Sequence, residues 1–190
     1  MPTHTLKTVT GLQRPGADGY ARVQPPTDRP LTLMAGDRLW VQAFAPDSHW
    51  VYGVAASGQE RFWSLFVSEP GSQVAAGERF PLPQGQDIDA AGAGMDTLYV
   101  LSAPEPIAWL QGFESQDCEG LSGQPKPQNP TTLCEQLHAL IWQAPARIRG
   151  QARQTPAELI RKRGVVTVFG SVAEHSGEGV VVVQTPFLQP

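Results

Sequence analysis

From Ala35 to Ser102 turn signals recur at short intervals, and this constrains the fold more than any other feature of the chain. Gly36-Asp37, Ser57-Gly58-Gln59, Ser68-Glu69-Pro70-Gly71 and Gly77-Glu78 separate four apolar runs. These are Leu39 to Phe44, His49 to Ala55, Arg61 to Val67, and a short run ending at Phe80-Pro81-Leu82-Pro83. Asp96 opens a fifth, Thr97 to Ser102, which Pro104 stops. Runs of this length, bounded by Gly, Pro and Asp, fold as strands. The 19 glycines and 18 prolines fall mostly between such runs.

The flanks read differently. Residues 1–34 are Pro- and Gly-rich with weak periodicity. Tyr20 to Gln24 and Leu31 to Met34 suit edge strands kept short by Pro25, Pro26 and Pro30. Beyond Pro104, Pro106 to Phe113 has room for one or two helical turns, and 114–129 is polar loop. Asn129 as cap with Pro130 behind it predicts a helix carrying Leu133, Leu137, Leu140 and Ile141, ending near Gln143. Thr155, Pro156 and Glu158 form a capping box, which predicts a second helix through Leu159 and Ile160 to Gly164. Val165 to Val172 and Gly179 to Thr185 close the chain as strands joined by His175-Ser176-Gly177. Their adjacent valines predict coverage on both faces. The expectation is a mainly β chain: one domain over 1–190, an immunoglobulin-like two-sheet β-sandwich with a small helical insertion. Its parts are a strand core over 31–105, the insertion over 106–164 on one edge or end, and a C-terminal strand pair over 165–190.

Composition sets the outer bounds. At 190 residues the chain suffices for one ordinary core, and 41% hydrophobic with 17% charged residues excludes a solvated disordered chain. A net charge of -4 excludes a globally basic nucleic-acid binder but leaves room for a local basic patch. Residues 1–18 hold no apolar stretch of signal-peptide or transmembrane kind, and the weakly polar run 164–173 is too short to span a bilayer.

One stretch resembles a known family. It comprises Gly36-Asp37-Arg38-Leu39, Trp50-Val51-Tyr52-Gly53-Val54, Ala55-Ala56-Ser57-Gly58, Val74-Ala75-Ala76-Gly77-Glu78, Phe80-Pro81-Leu82-Pro83 and Leu98-Tyr99-Val100-Leu101-Ser102. In order and character these resemble the bacterial domain of unknown function 4384, which occurs beside caspase-like peptidases, protein kinases and membrane-anchored regulators. The match covers about residues 31–105. The resemblance implies an all-β accessory module, extracytoplasmic or attached to a signalling protein. It supplies no catalytic residues and is silent on 106–190.

Candidate chemistry is sparse. No HxH or HExxH spacing joins His4, His49, His138 and His175, and no GxSxG elbow or phosphate-cradling glycine loop occurs, so no metal and no cofactor is expected. Cys134 and His138 share a helical face, which leaves a cysteine-dependent enzyme as the last alternative. Cys118 and Cys134 bracket a polar loop; a disulfide there would contribute roughly 3 kcal/mol on the chain-entropy model. Six of the 14 basic residues, Arg147, Arg149, Arg153, Arg161, Lys162 and Arg163, cluster with Glu158 as the sole acid among them. They suit an anionic partner, nucleic acid or phospholipid, or else complement the end of the second helix. Trp40 alternates away from Leu39 and Val41. With Phe44 and Trp63 it would form an aromatic patch for a protein partner or a glycan, or else belong to the core.

The reading is a non-catalytic protein-interaction or sensor module of a bacterial signalling or envelope system. Its partner would be another protein or another domain of the same natural polypeptide. The location expected is periplasmic or extracytoplasmic if Met1 is not the natural start, and cytoplasmic otherwise.

Overall fold

A computed structural model describes residues 3–23, 31–59, 62–82, 88–89, 94–111, 118–121, 132–143, 147–148, 153–161 and 164–189. In chain order the elements are β1 (Thr3–Gly16), β2 (Gly19–Val23), β3 (Leu31–Thr32), β4 (Arg38–Phe44), β5 (His49–Gln59), β6 (Phe62–Val74), β7 (Phe80–Leu82), β8 (Ile88–Asp89) and β9 (Gly94–Ala103). Then come α1 (Ala108–Gln111), β10 (Cys118–Leu121), α2 (Leu133–Gln143), β11 (Arg147–Ile148), β12 (Arg153–Arg161), β13 (Gly164–Glu178) and β14 (Val181–Gln189).

The strands form two sheets. Sheet A runs β11-β13-β1-β4-β7, with β12 also on β13, β2 on β1 and β8 on β4. Sheet B runs β10-β6-β5-β9-β14-β3. The pairs are antiparallel except for β14 with β3. Alternation sends Leu6 and Leu12 of β1, Leu39, Val41 and Ala43 of β4, and Leu82 of β7 inward. They meet Val51, Leu98, Val100, Val181 and Val183 of sheet B in one core. The fold is therefore mainly β, a two-sheet sandwich.

A third layer covers the outer face of sheet B. Tyr52, Val54, Tyr99, Leu101 and Val182 pack there against Leu110 of α1 and Leu137 of α2. In β14, Val181 and Val183 thus face the sandwich core while Val182 faces the helices, which is the two-sided burial that adjacent valines predict. The turn into α1 is fixed by the Ile107 amide donating to the Tyr52 hydroxyl at 2.7 Å. Opposite Tyr52, β6 carries an irregularity at Pro70-Gly71. Gly71 has φ of 131°, and a Cβ there would stand 2.6 Å from the Tyr52 ring, so only glycine fits.

Several expectations are corrected. The break at Ser68-Glu69-Pro70-Gly71 is a bulge inside β6, because the chain can absorb extra residues without leaving the ladder. Residues 1–34 include the 14-residue β1, which lies inside sheet A. The helix beginning at residue 133 is capped by Thr132 rather than Asn129. Thr132 Oγ1 accepts the Glu135 amide at 3.1 Å, and Glu135 Oε2 accepts the Thr132 amide at 3.0 Å. The helical region packs on a sheet face, not an edge or end, since Leu110 and Leu137 supply the apolar surface that Tyr52 and Leu101 need. The predicted second helix is absent: Arg153–Arg161 is a strand, paired from Arg153↔Val172 to Arg161↔Gly164. Pairing with a β-branched run overrides the local capping signal, and Pro156 is tolerated on an outer strand. The insertion over 106–164 is therefore helical only in its first part. The closing strands do not pair with each other either, because β13 joins sheet A and β14 joins sheet B.

Candidate functional site

Four strand ends meet between the sheets: the start of β1, the start of β5, the end of β9 and the end of β13. Alternation along β1 points His4, Leu6 and Thr8 into the sandwich. The register sets His175 directly opposite Leu6, so His175 faces inward too. His49 opens β5 immediately after the turn at Asp47, and Ser102 lies inward on β9, opposite Val51. His4, Thr8, His49, Ser102 and His175 are all buried.

The contacts within this group cross the sandwich. His4 Nε2 lies 2.8 Å from Ser102 Oγ, linking sheet A to sheet B. The His4 and His49 rings lie 6.0 Å apart between centroids, tilted by 45°. His49 Nδ1 donates to the Asp47 carbonyl at 3.0 Å, which leaves Nε2 as a bare, buried acceptor with no partner among the described residues. His175 Nε2 lies 3.3 Å from Thr8 Oγ1, and its Nδ1 has no partner among the described residues.

Burial lowers the affinity of these imidazoles for protons. It pushes His175 down to about 4, against the opposing Glu174 carboxylate. Burial and the neighbouring His49 lower His4, with Asp47 opposing. Burial lowers His49, with its bond to the Asp47 carbonyl opposing. The three rings are consequently neutral at pH 7. Ser102 and His4 have the spacing of a nucleophile and its base. Ser102 is 0% exposed, however, so no substrate carbonyl reaches its hydroxyl, and the pair serves to join the sheets. Among the described residues no group of His, Cys, Asp and Glu is arranged to hold a metal ion.

The residues singled out from sequence stand elsewhere. Trp40 points away from the core, as its alternation requires, yet it is only 3% exposed and offers no free aromatic surface. Its indole occupies the space beside Gly11 of β1. Phe44 shares that outer face, half-buried, with the Arg79 guanidinium 5.5 Å from its ring centre. Trp63 stands on β6 in the other sheet, and its side chain lies outside the described residues. The exposed patch of Trp40, Phe44 and Trp63 is thus overturned by the burial of its first member.

Cys134 is disulfide-bonded, and the chain has two cysteines, so its partner is Cys118. The bridge ties α2 to the strand bordering β6. A bridged Cys134 has no thiolate, which removes the ligand or nucleophile role considered with His138.

Arg147, Arg153 and Arg161 stand on strands, not at a helix end. Arg147 pairs with Ser176, and Arg153 to Arg161 pairs with β13, so β11 and β12 occupy the outer lane of sheet A. The side chains of Arg147, Arg153 and Arg161 lie outside the described residues, as do Arg149, Lys162 and Arg163 altogether. No helix among the described residues is long and apolar enough to cross a membrane. No protein-family model, curated protein or solved structure matches this chain.

Proposed function

We propose that this chain is a non-catalytic protein-interaction module of a bacterial signalling or envelope system, and that β12 with β13 is the part that meets its partner. The observation that carries this reading is one of register. Between Thr3 and Thr10, β1 pairs with the end of β13; from Leu12 onward its same lane belongs to β2. Before Ser171, therefore, over Gly164 to Gly170, β13 is not paired with β1, and β12 is its one hydrogen-bonded neighbour among the described residues. The result is a two-stranded ribbon. Leu159↔Val166 and Ala157↔Val168 fall on one of its faces, and Ile160↔Val165 and Pro156↔Phe169 on the other. Two strands alone are marginal in water, and apolar residues on both faces favour a covering partner.

The envelope setting is supported by the Cys118–Cys134 bridge, since disulfides persist in oxidising compartments. The resemblance over residues 31–105 points the same way. A photo-crosslinker at Val168, in the natural host, tests the interface directly. Crosslinks to one protein, repeated with that protein purified and lost with Leu159→Asn/Val166→Asn, are expected while the melting temperature of the body holds within about 3 °C. Crosslinks confined to this chain would refute the interface.

The outer lane also favours a second reading. Arg147, Arg153 and Arg161 all lie along it, so an anionic surface, nucleic acid or phospholipid, is a rival partner. Binding that falls steeply and log-linearly with salt would select that rival over the apolar contact.

A further inference from the structure

We infer that His4, His49 and His175 form an acid-released latch that holds the start of β1 and the end of β13 against sheet B. The geometry that motivates it is the bond from His4 to Ser102, which crosses between the sheets, with a second imidazole 6.0 Å away and a third on the neighbouring strand. All three rings are buried, and two of them carry a nitrogen with no acceptor in reach among the described residues.

Protonation disrupts this arrangement in three ways. A second N–H appears on His49 at Nε2, where nothing among the described residues accepts it. The positive charges of His4 and His49 then face each other across 6.0 Å. His175 acquires a charge while 4% exposed, with a hydroxyl as its partner. The acids that approach are few. From the β4–β5 turn, Asp47 favours a charged His4; from β13, Glu174 favours a charged His175. Both are exposed, and Glu174 is already paired with Lys7 of β1 at 3.2 Å, on the other face from His175. Ser102 of β9 and Thr8 of β1 contribute hydroxyls without charge. Among the described residues no carboxylate is therefore positioned to receive three imidazolium ions, and opening to water is the available relief.

The sign follows from burial. A histidine at its ordinary value of 6.5 when open, and lower when closed, takes up its proton on opening. The closed form is favoured fully above about pH 6.5 and loses ground as the pH falls toward the closed-state values. For His175, at about 4 when closed, the opening equilibrium rises on the order of a hundredfold across that window. His175 also sits near the root of the β12–β13 ribbon, so acid would free the ribbon's base. That last consequence rests on the proposed interface; the latch itself does not.

Amide hydrogen exchange on the full disulfide-bonded chain at pH 7.5 and pH 5, corrected for intrinsic chemistry, tests the latch without any partner. Exchange at residues 4–10 and 171–177 is expected to accelerate at least tenfold relative to 97–101 of β9. Ring-proton titration should place His4, His49 and His175 below 6.5. His138→Gln, on α2, should leave the acid response whole, and His175→Gln should reduce it. Unchanged relative exchange, three ordinary titrations near 6.5, or a response abolished by His138→Gln would each overturn the latch. Should His175→Gln fail to fold, exchange and ring titration of the unsubstituted chain decide alone.

Discussion

The Trp40 indole fills the space beside Gly11 on the paired strand: a Cβ on Gly11 would stand 1.8 Å from Cζ2 and 2.0 Å from Cε2. The side chain of a buried strand tryptophan is thus accommodated by the absence of a side chain on its neighbour. Glycine weakens strands in general, and here the ring compensates by covering the exposed backbone. Gly11→Ala should force the ring out of its rotamer and cost about 2–3 kcal/mol, read as a fall in melting temperature of roughly 5–10 °C. Gly11→Ala/Trp40→Leu should recover part of that loss. Additive melting shifts in the pair would mean that the two residues do not compete for space.

The same strand shows why part of this fold escapes sequence reading. Residues 1–34 look aperiodic because the inward positions of β1 include His4 and Thr8, so alternation in space is not alternation in hydropathy. The buried polar group that forms the candidate site is also what conceals the strand that carries it. Histidine spacing gave no help, since His4, His49 and His175 converge through strand register. By contrast β4, β5 and β9 were legible from turn residues and apolar runs, and β14 from valines that no one-faced strand would carry. The segment after Thr155 misled for the opposite reason: its capping pattern is local, whereas its pairing with β13 is not.

Arg14 and Asp37 pin the turn between β3 and β4 to β1. Arg14 Nε donates to Oδ1 at 2.9 Å and Nη2 to Oδ2 at 2.8 Å, while the Met34 amide donates to Oδ2 at 2.9 Å. Burial pushes the Asp37 carboxyl up, but the Arg14 bonds and charge and the Met34 amide outweigh it and hold it below 3.8. A depressed carboxylate stabilises the fold above its unfolded value, and that contribution is lost as pH falls through the folded value. Asp37→Asn should cost about 2–3 kcal/mol at pH 7, with the gap to the parent closing below pH 3.8. Denaturant titrations at pH 7, 5 and 3 read this directly. A gap that closes already between pH 6.5 and 5 would assign it to the histidines instead.

The disulfide should matter for the helical layer more than for the sandwich. Cys134 lies on α2, whose Leu137 covers Tyr52 and Leu101, and Cys118 lies on β10 at the border of sheet B. Reduction frees the loop between them and should cost about 3 kcal/mol, or roughly 6–12 °C. Thiol titration of the unfolded, unreduced chain should find no free thiol. In the reduced protein, exchange should rise first over 133–143 and leave 97–101 protected. Simultaneous loss of both would show that the helices and sheet B open as one unit.

Truncation after Gly164 should abolish folding, although it spares every residue of the family-like stretch. The cut removes β13, which stands between β1 and the outer lane of sheet A, and β14, which stands between β9 and β3 in sheet B. Val181 and Val183 would vanish from the sandwich core and Val182 from the helical layer, so both apolar clusters are opened at once. Each buried valine is worth on the order of 1.5–3 kcal/mol, and three together rival the stability of an ordinary domain. Loss of β13 also removes His175 from the interior. The single substitution Val182→Asp separates the effects, because it leaves β13 and the sandwich-facing valines intact. It should dislodge α1 and α2, lowering helical signal and the melting temperature together, and it should leave the pairing of β1 with β13 protected from exchange. A 1–164 fragment that melts cooperatively would place the folding core within residues 3–161 and make both closing strands dispensable.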